Sequence, residues 1–316
     1  MSKRDAFAAE LARLNELRLD PTGPAAAVTL QEALAARSNL LVARAAEIID
    51  EWELPGYEVA LSAAFDRFMI DALRRDPTCA AKIAIAGALN RLEIRDADLF
   101  RRGCAHIQPE PVWGGREDTA ARLRAACALG LARSDPPDVM LVLAGLLADP
   151  EADARTGAVH AIAFAARPGG APLLWYKACI GDPEPGVLHE CFTALAALEP
   201  EAGVEFVGAQ ARSENPAVAE AALAALGRSR LPAALPVLAA AWAELPDAAL
   251  RRSALRAIAG LGDDAAFAFL FDLLANGSTR EAGEALDALG LMADDERRRR
   301  KIDRARARRG DLPAAT

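Results

Sequence analysis

Aromatic residues are scarce in this chain: phenylalanine, tyrosine and tryptophan together make up 5% of 316 residues. That scarcity argues against a core built around large rings. Histidine is scarcer still, with His106, His160 and His189 alone, so a multi-histidine metal centre has almost no material to draw on. The five cysteines, Cys79, Cys104, Cys127, Cys179 and Cys191, are odd in number, widely spaced and free of any CxxC pair. They exclude a disulfide framework and a structural zinc site, and read as buried free thiols in a reducing compartment. A transmembrane helix needs roughly 20 successive apolar residues, and no such run occurs. The start of the chain leads into Leu11, Leu14 and Leu17 with charges between them, which is an amphipathic helix and not a signal peptide. A cytoplasmic location follows by default. Missing too are GxSxG, HExxH, a Walker loop and a dinucleotide glycine motif.

What the chain has instead is alanine, which accounts for much of its 53% hydrophobic content. Alanine is the best helix former, and its small side chain lets helix axes approach closely. The charge is unevenly placed. Nine basic residues and one acid, Asp303, fall within 297–310, a local +8 in a chain whose net charge is −8. The remainder is therefore −16, and an acidic body repels nucleic acid.

A repeat organises the sequence. Asp149-Pro150, Asp182-Pro183 and Asn215-Pro216 follow one another at steps of 33, and Leu245-Pro246-Asp247 and Asn276-Gly277-Ser278 continue the series. Proline fits the first turn of a helix, and the Asp or Asn before it is suited to cap free amides. The segments after these breakers share one form: an aliphatic or small residue, then small residues four and seven places on, then an aliphatic residue at the eighth. Ala154–Ile162, Val187–Leu195, Val218–Leu226 and Leu250–Ile258 follow it. Positions 0, +4, +7 and +8 lie on one helical face. The helices before the breakers are bulkier, as in Val139–Leu143 and Phe267–Phe271. Each unit is thus a bulky helix A, a turn and an Ala-rich helix B. No strand is expected, because no alternating run is bounded by hairpin signals.

The Asp-Pro turn followed by aliphatic–Arg–x–small–Ala–x–x–Ala–aliphatic resembles the HEAT repeat, in the short bacterial form found in phycobilin lyases. The resemblance spans 119–290 and extends less regularly over 26–106. Tetratricopeptide and ankyrin signatures are absent. The resemblance implies an all-α fold, a right-handed superhelix of about seven to eight antiparallel helix pairs. One solenoid domain, 1–316, is expected. Within it, 1–106 holds divergent repeats behind a capping helix near 3–18, and 107–118 is an irregular inserted loop. Residues 119–290 are the regular repeats, and 291–316 an Arg-rich cap or tail in which Asp294 and Asp295 precede the run Arg297–Arg309.

In the B helices, positions two, five and six places after the leading residue should face outward. They are Thr156, Val159 and His160; His189, Phe192 and Thr193; Glu220, Leu223 and Ala224; Arg252, Leu255 and Arg256. This mixed ladder reads either as an interface, with Phe192 as anchor and Arg252 and Arg256 reading an acidic or polar segment, or as packing between neighbouring helices. Trp113, amid Pro109, Pro111, Gly114 and Gly115, either pins its loop or offers itself to a partner. Of the adjacent aromatics Trp175 and Tyr176, one belongs in the core and the other at an edge. His189-Glu190 resembles a ligand pair of deoxyhypusine hydroxylase, a HEAT-like di-iron enzyme. The equivalent places in other repeats are Thr156-Gly157, Glu220-Ala221 and Arg252-Ser253, and one pair cannot build such a site.

The expected function is therefore a non-catalytic scaffold that binds another protein or peptide on the concave surface of the solenoid. No catalytic residue, cofactor, metal, membrane or nucleic acid enters this reading. The candidate binding residues are Trp113, His160, His189, Phe192, Glu220, Leu223, Arg252 and Arg256. A lyase-like or chaperone-like factor for a chromophore protein is the alternative implied by the resemblance. A HEAT-like DNA-lesion glycosylase is a second, opposed by the acidic body. A repeat pattern encodes neither the partner's identity nor the oligomeric state.

Overall fold

A computed structural model describes residues 3–293, 296–309 and 311. The rest of the expected C-terminal segment, including Asp294, Asp295 and 312–316, lies outside the described residues. The chain divides into two compact units, Met1–Arg167 and Pro168–Thr316.

The first unit runs α1 (Lys3–Leu17), α2 (Pro24–Ala35), α3 (Asn39–Trp52), α4 (Glu58–Met69), the single turn α5 (Ala72–Arg75), a 3-10 turn (Pro77–Cys79) and α6 (Ala80–Arg91). It continues with α7 (Ala97–Cys104), β1 (Pro109–Val112), β2 (Gly115–Asp118), α8 (Ala121–Ser134), α9 (Val139–Leu146) and α10 (Ala152–Ala165). Four pairs pack as A against B: α2 with α3, α4 with α6, α7 with α8 and α9 with α10. The B helices stack in order, α3 on α6, α6 on α8 and α8 on α10. Gly157 of α10 lies so close to α8 that an added Cβ would fall 2.4 Å from the Ala125 Cα. Small residues thus set the spacing of the layer.

The second unit comprises α11 (Gly170–Ile180), α12 (Pro185–Leu198), α13 (Ala202–Gln210), α14 (Pro216–Ser229), α15 (Ala234–Glu244), α16 (Ala248–Leu261), α17 (Asp264–Asn276), α18 (Thr279–Gly290) and α19 (Glu296–Arg308). Here α11 pairs with α12, α13 with α14, α15 with α16 and α17 with α18, and α12, α14, α16 and α18 stack in turn. The described residues thus hold eight helix pairs. The turns follow from capping. Asn215 accepts from Ala217 N, Asp247 from Ala249 N and Leu250 N, and Asp263 from Ala266 N, while Ser278 and Glu281 form a capping box. Each satisfies amides that the first helical turn leaves without partners. Asp149 and Asp182 act one step earlier, accepting from the backbone N of Glu151 and Glu184 in the turn itself.

The core face of the B helices is as the period predicts: Ala154, Ala158, Ala161 and Ile162 are buried, as are Val187, Cys191, Ala194 and Leu195. Val218 and Leu250, leading their repeats, are only half-buried. Four of the five thiols are buried as expected; Cys179 is exposed instead. Burial pushes the Cys79 thiol up to about 11 and those of Cys104 and Cys191 to about 12, so none of these three is a thiolate nucleophile.

Residues 107–118 correct the expectation of an irregular loop and of a chain without strands. β1 and β2 form an antiparallel hairpin that pairs Pro109 with Asp118, Glu110 with Glu117, Pro111 with Arg116 and Val112 with Gly115. Trp113 and Gly114 make its two-residue turn, and Gly114 takes the positive φ of 89° that such a turn needs. Hydrogen-bonded pairs alternate along an antiparallel ladder, and Thr119 N donates to Gln108 O at 3.1 Å. Counting up from that pair, Glu110 and Val112 face β2, while the nitrogens of Pro109 and Pro111 face outward. The prolines are tolerated because the donors they lack would point away from the partner strand.

Candidate functional site

The hairpin stands on a buried polar network supplied by α6, α8 and the turns beside them. Asp76 and Lys82 are both fully buried and pair at 3.0 Å. Asp76 also accepts from Ala81 N and Lys82 N at 2.9 and 3.1 Å. Lys82 Nζ donates to Gln108 Oε1 at 3.1 Å, and Gln108 Nε2 donates to Asp76 O and Glu110 Oε1 at 2.9 and 2.7 Å. Thr119 and Thr78 N complete the grip on Glu110. On the other strand, Asp118 accepts from Gln108 N and Ala120 N and pairs with Arg124 at 2.6 Å. Arg124, 2% exposed, holds Asp149 with two parallel hydrogen bonds of 2.8 Å and donates to His106 O at 2.9 Å. Arg155 secures the same turn through Asp149 O and Pro150 O at 2.9 and 2.7 Å.

These contacts set the electrostatics. Burial raises the Asp118 and Glu110 carboxyls, but hydrogen bonds outweigh it: from Gln108 N, Ala120 N and Arg124 for Asp118, and from Thr119, Gln108 and Thr78 N for Glu110. Both sit below the usual carboxylate range. Burial also pushes the His106 imidazole down, against its hydrogen bond with Gln108. Every charged member of this cluster is held by others in it, as buried ions must be.

At the far end of the hairpin the environment reverses. Trp113 is 103% exposed, beyond an exposed Val112. The Trp113 ring is fully exposed and pins nothing. The loop is held at its base, and the indole is offered to solvent.

The ladder of outward positions is corrected by the structure. Val159, Phe192, Leu223 and Leu255 are fully buried. Phe192 lies edge-on to Phe206, 6.4 Å between ring centroids. At 100° per residue, +5 lies on the flank of helix B, and in a stack the flanks are covered by neighbours. Positions +2 and +6 point directly away from the core. In the first unit His160 is exposed at +6 and lines a shallow groove with Arg122, Asp153 and Thr156. In the second unit Glu220, Ala224, Arg252 and Arg256 are exposed, and His189 and Thr193 are half-buried. Glu220, Arg228, Arg230 and Arg256 meet over a groove between α14 and α16. His189 is tied to the stack, with Nδ1 3.3 Å from Ala221 O. Glu190 lies 4.0 Å from His189 and 3.5 Å from Arg228. Among the described residues, no three His, Cys, Asp or Glu side chains converge as metal ligands. Trp175 is half-buried, its ring tilted against Phe206 with centroids 4.2 Å apart, while Tyr176 is exposed.

Reasoning from sequence missed the buried cations Lys82, Arg124, Arg155 and Lys177. A signal was present: Lys82, Arg124 and Arg155 each directly follow the leading residue of a B helix, the place of the arginine in the repeat pattern. Lys177, on a helix A, pairs with Asp182 at 2.8 Å. It shows that the Asp-Pro turns are held by ions as well as caps.

A family model for HEAT repeats matches residues 173–247, so the chain carries HEAT repeats in its second unit. No curated protein matches the sequence as a relative. Solved structures similar to the chain include two of known description. The complex of CpcE and CpcF of phycocyanin lyase from Nostoc sp. PCC7120 is 17% identical, with 77% of this chain and 93% of that chain covered and a TM-score of 0.37. Human deoxyhypusine hydroxylase in complex with glycerol is 21% identical, with coverage of 81% and 90% and a TM-score of 0.31. No helix among the described residues is long and apolar enough to cross a membrane.

Proposed function

We propose that this chain is a non-catalytic scaffold that binds another protein, with Trp113 as its principal anchor. One observation carries the reading: a fully exposed tryptophan at the tip of a hairpin whose base is clamped by buried ion pairs. An indole in water gains by burial in a partner's pocket, and tryptophan is enriched among residues that dominate binding energy. A rigid hairpin loses little conformational freedom on binding, so little of that gain is cancelled. The buried titratable groups near the hairpin hold turns and strands, which supports a structural role for them over a catalytic one. Within the same unit, the exposed His160 supplies a polar contact.

The test is a quantitative capture experiment with the full chain as bait. Trp113→Ala should weaken capture by about thirtyfold or more, the cost of roughly 2 kcal/mol for losing a central anchor, with an unchanged melting temperature. If Trp113→Ala captures the same proteins equally well while Arg252→Glu loses them, the anchor assignment is wrong and the helix rungs are the surface.

A further inference from the structure

The C-terminal helix α19 carries a feature that neither the hairpin nor the rungs absorb. Between Glu296 and Arg309 there are nine basic residues and two acids, Glu296 and Asp303, a local +7 that leaves −15 on the rest of the chain. One side of the helix is spent on docking to α17. Arg298 pairs with Asp264 at 3.0 Å, Ile302 is buried, and Arg309 Nη1 donates to Leu274 O and Gly277 O at 3.1 and 2.7 Å. A second face, turned by about a third of a revolution, presents Arg297, Arg300, Lys301, Arg304 and Arg308 at helical offsets 0, 3, 4, 7 and 11. These five line one cleft with Phe271, Ala305 and Glu296, the last paired with Arg300. Arg304 and Arg308 are exposed and have no acidic partner among the described residues.

We propose that this cationic face is a docking surface for a short acidic segment of a partner protein. Charge complementarity argues the class: guanidinium groups match carboxylates in paired hydrogen bonds. Length argues the size. From Arg297 to Arg308 the stripe runs about 16 Å at 1.5 Å per residue, the reach of roughly five extended residues. Two observations set nucleic acid aside. A strand longer than the stripe runs into the field of an acidic body. Phe271, the aromatic ring in the cleft, already carries Lys301 Nζ over one face, 4.3 Å from its centroid, so a base would compete with that cation for stacking there.

The proposal is independent of the hairpin, and its experiment keeps the two apart. A fluorescein-labelled pentaglutamate peptide is titrated with the full-length chain at low salt, followed by anisotropy. Wild type binds, with affinity falling as salt rises. The double variant Arg304→Glu/Arg308→Glu binds at least about tenfold more weakly, since both charges are solvent-exposed and reversed. Arg304→Gln/Arg308→Gln gives an intermediate loss, and Trp113→Ala binds as wild type does. Melting temperatures stay level across the set. Unaltered affinity in both double variants overturns the proposal, as does loss of binding in Trp113→Ala. Tighter binding of a single-stranded oligothymidylate than of the peptide overturns it in favour of nucleic acid.

Discussion

The two units use one helix-pair plan and hold it together by different physics. In Met1–Arg167 the turns are locked by buried or largely buried ions: Asp76 with Lys82, and Arg124 with Asp118 and Asp149. In Pro168–Thr316 the work falls more on helix caps at Asn215, Asp247, Asp263 and Ser278 and on ring contacts such as Trp242 with Phe269. Lys177 with Asp182 is a buried ion pair of that unit. The difference follows from the hairpin. An insertion between two helices brings backbone donors and acceptors beneath the surface, and these need partners. Charged side chains that reach several groups at once supply them. Regular helix-to-helix turns expose few such groups, and a single side-chain oxygen satisfies them.

The comparison breaks most visibly at Arg124. Arg124→Met strands Asp118 and Asp149, both largely buried. It should cost about 3–5 kcal/mol, the usual penalty for removing one partner of a buried ion pair. Hydrogen exchange should show the loss in 3–167; undiminished protection of α8 and the hairpin would mean that the network is dispensable. A smaller effect is expected at the close helix approach of the second unit. In Gly227→Ala the new Cβ would fall 2.6 Å from Ala257 O and 2.7 Å from its Cα. Backbone cannot swing aside as a side chain can, so a loss of about 1–3 kcal/mol outweighs the helix-propensity gain of under about 1 kcal/mol. Gly283→Ala in α18, where a Cβ meets nothing within 4 Å, should show that gain alone as a slightly higher melting temperature. Asp247→Ala removes the cap of α16 and should cost about 1 kcal/mol in a urea melt, less than Gly227→Ala.

Acid sharpens the contrast without any substitution. The carboxyls of Asp118 and Glu110 are held below their ordinary values in the folded chain. Their contribution is therefore present above the unfolded values near pH 4 and lost as pH falls through the folded ones. Amide protection in 107–118, taken relative to the intrinsic exchange rate at each pH, should fall on acidification below about pH 4. Unchanged protection down to about pH 2 would show that these carboxylates do not hold the hairpin.

The sequence by itself determined the helix pairs, because a 33-residue series of breakers and a 3.6-residue apolar period are local signals that each helix carries alone. It also determined the core positions Ala158, Cys191, Ala222 and Ala254, all buried as the period requires, and marked Trp113 and the arginines of α19 as unusual. Only the tertiary structure decided which flank positions are covered. Phe192 and Leu223 were legible as lying off the core face, but their burial depends on neighbouring helices that no single-helix pattern describes. The hairpin was hidden for a related reason. Its prolines and glycines read as breakers until pairing shows that the missing donors face outward. Burial of Lys82 and Arg124 was decided in the same way, since a charge is stable inside only when partners distant in the chain, here Gln108 and Asp149, converge on it.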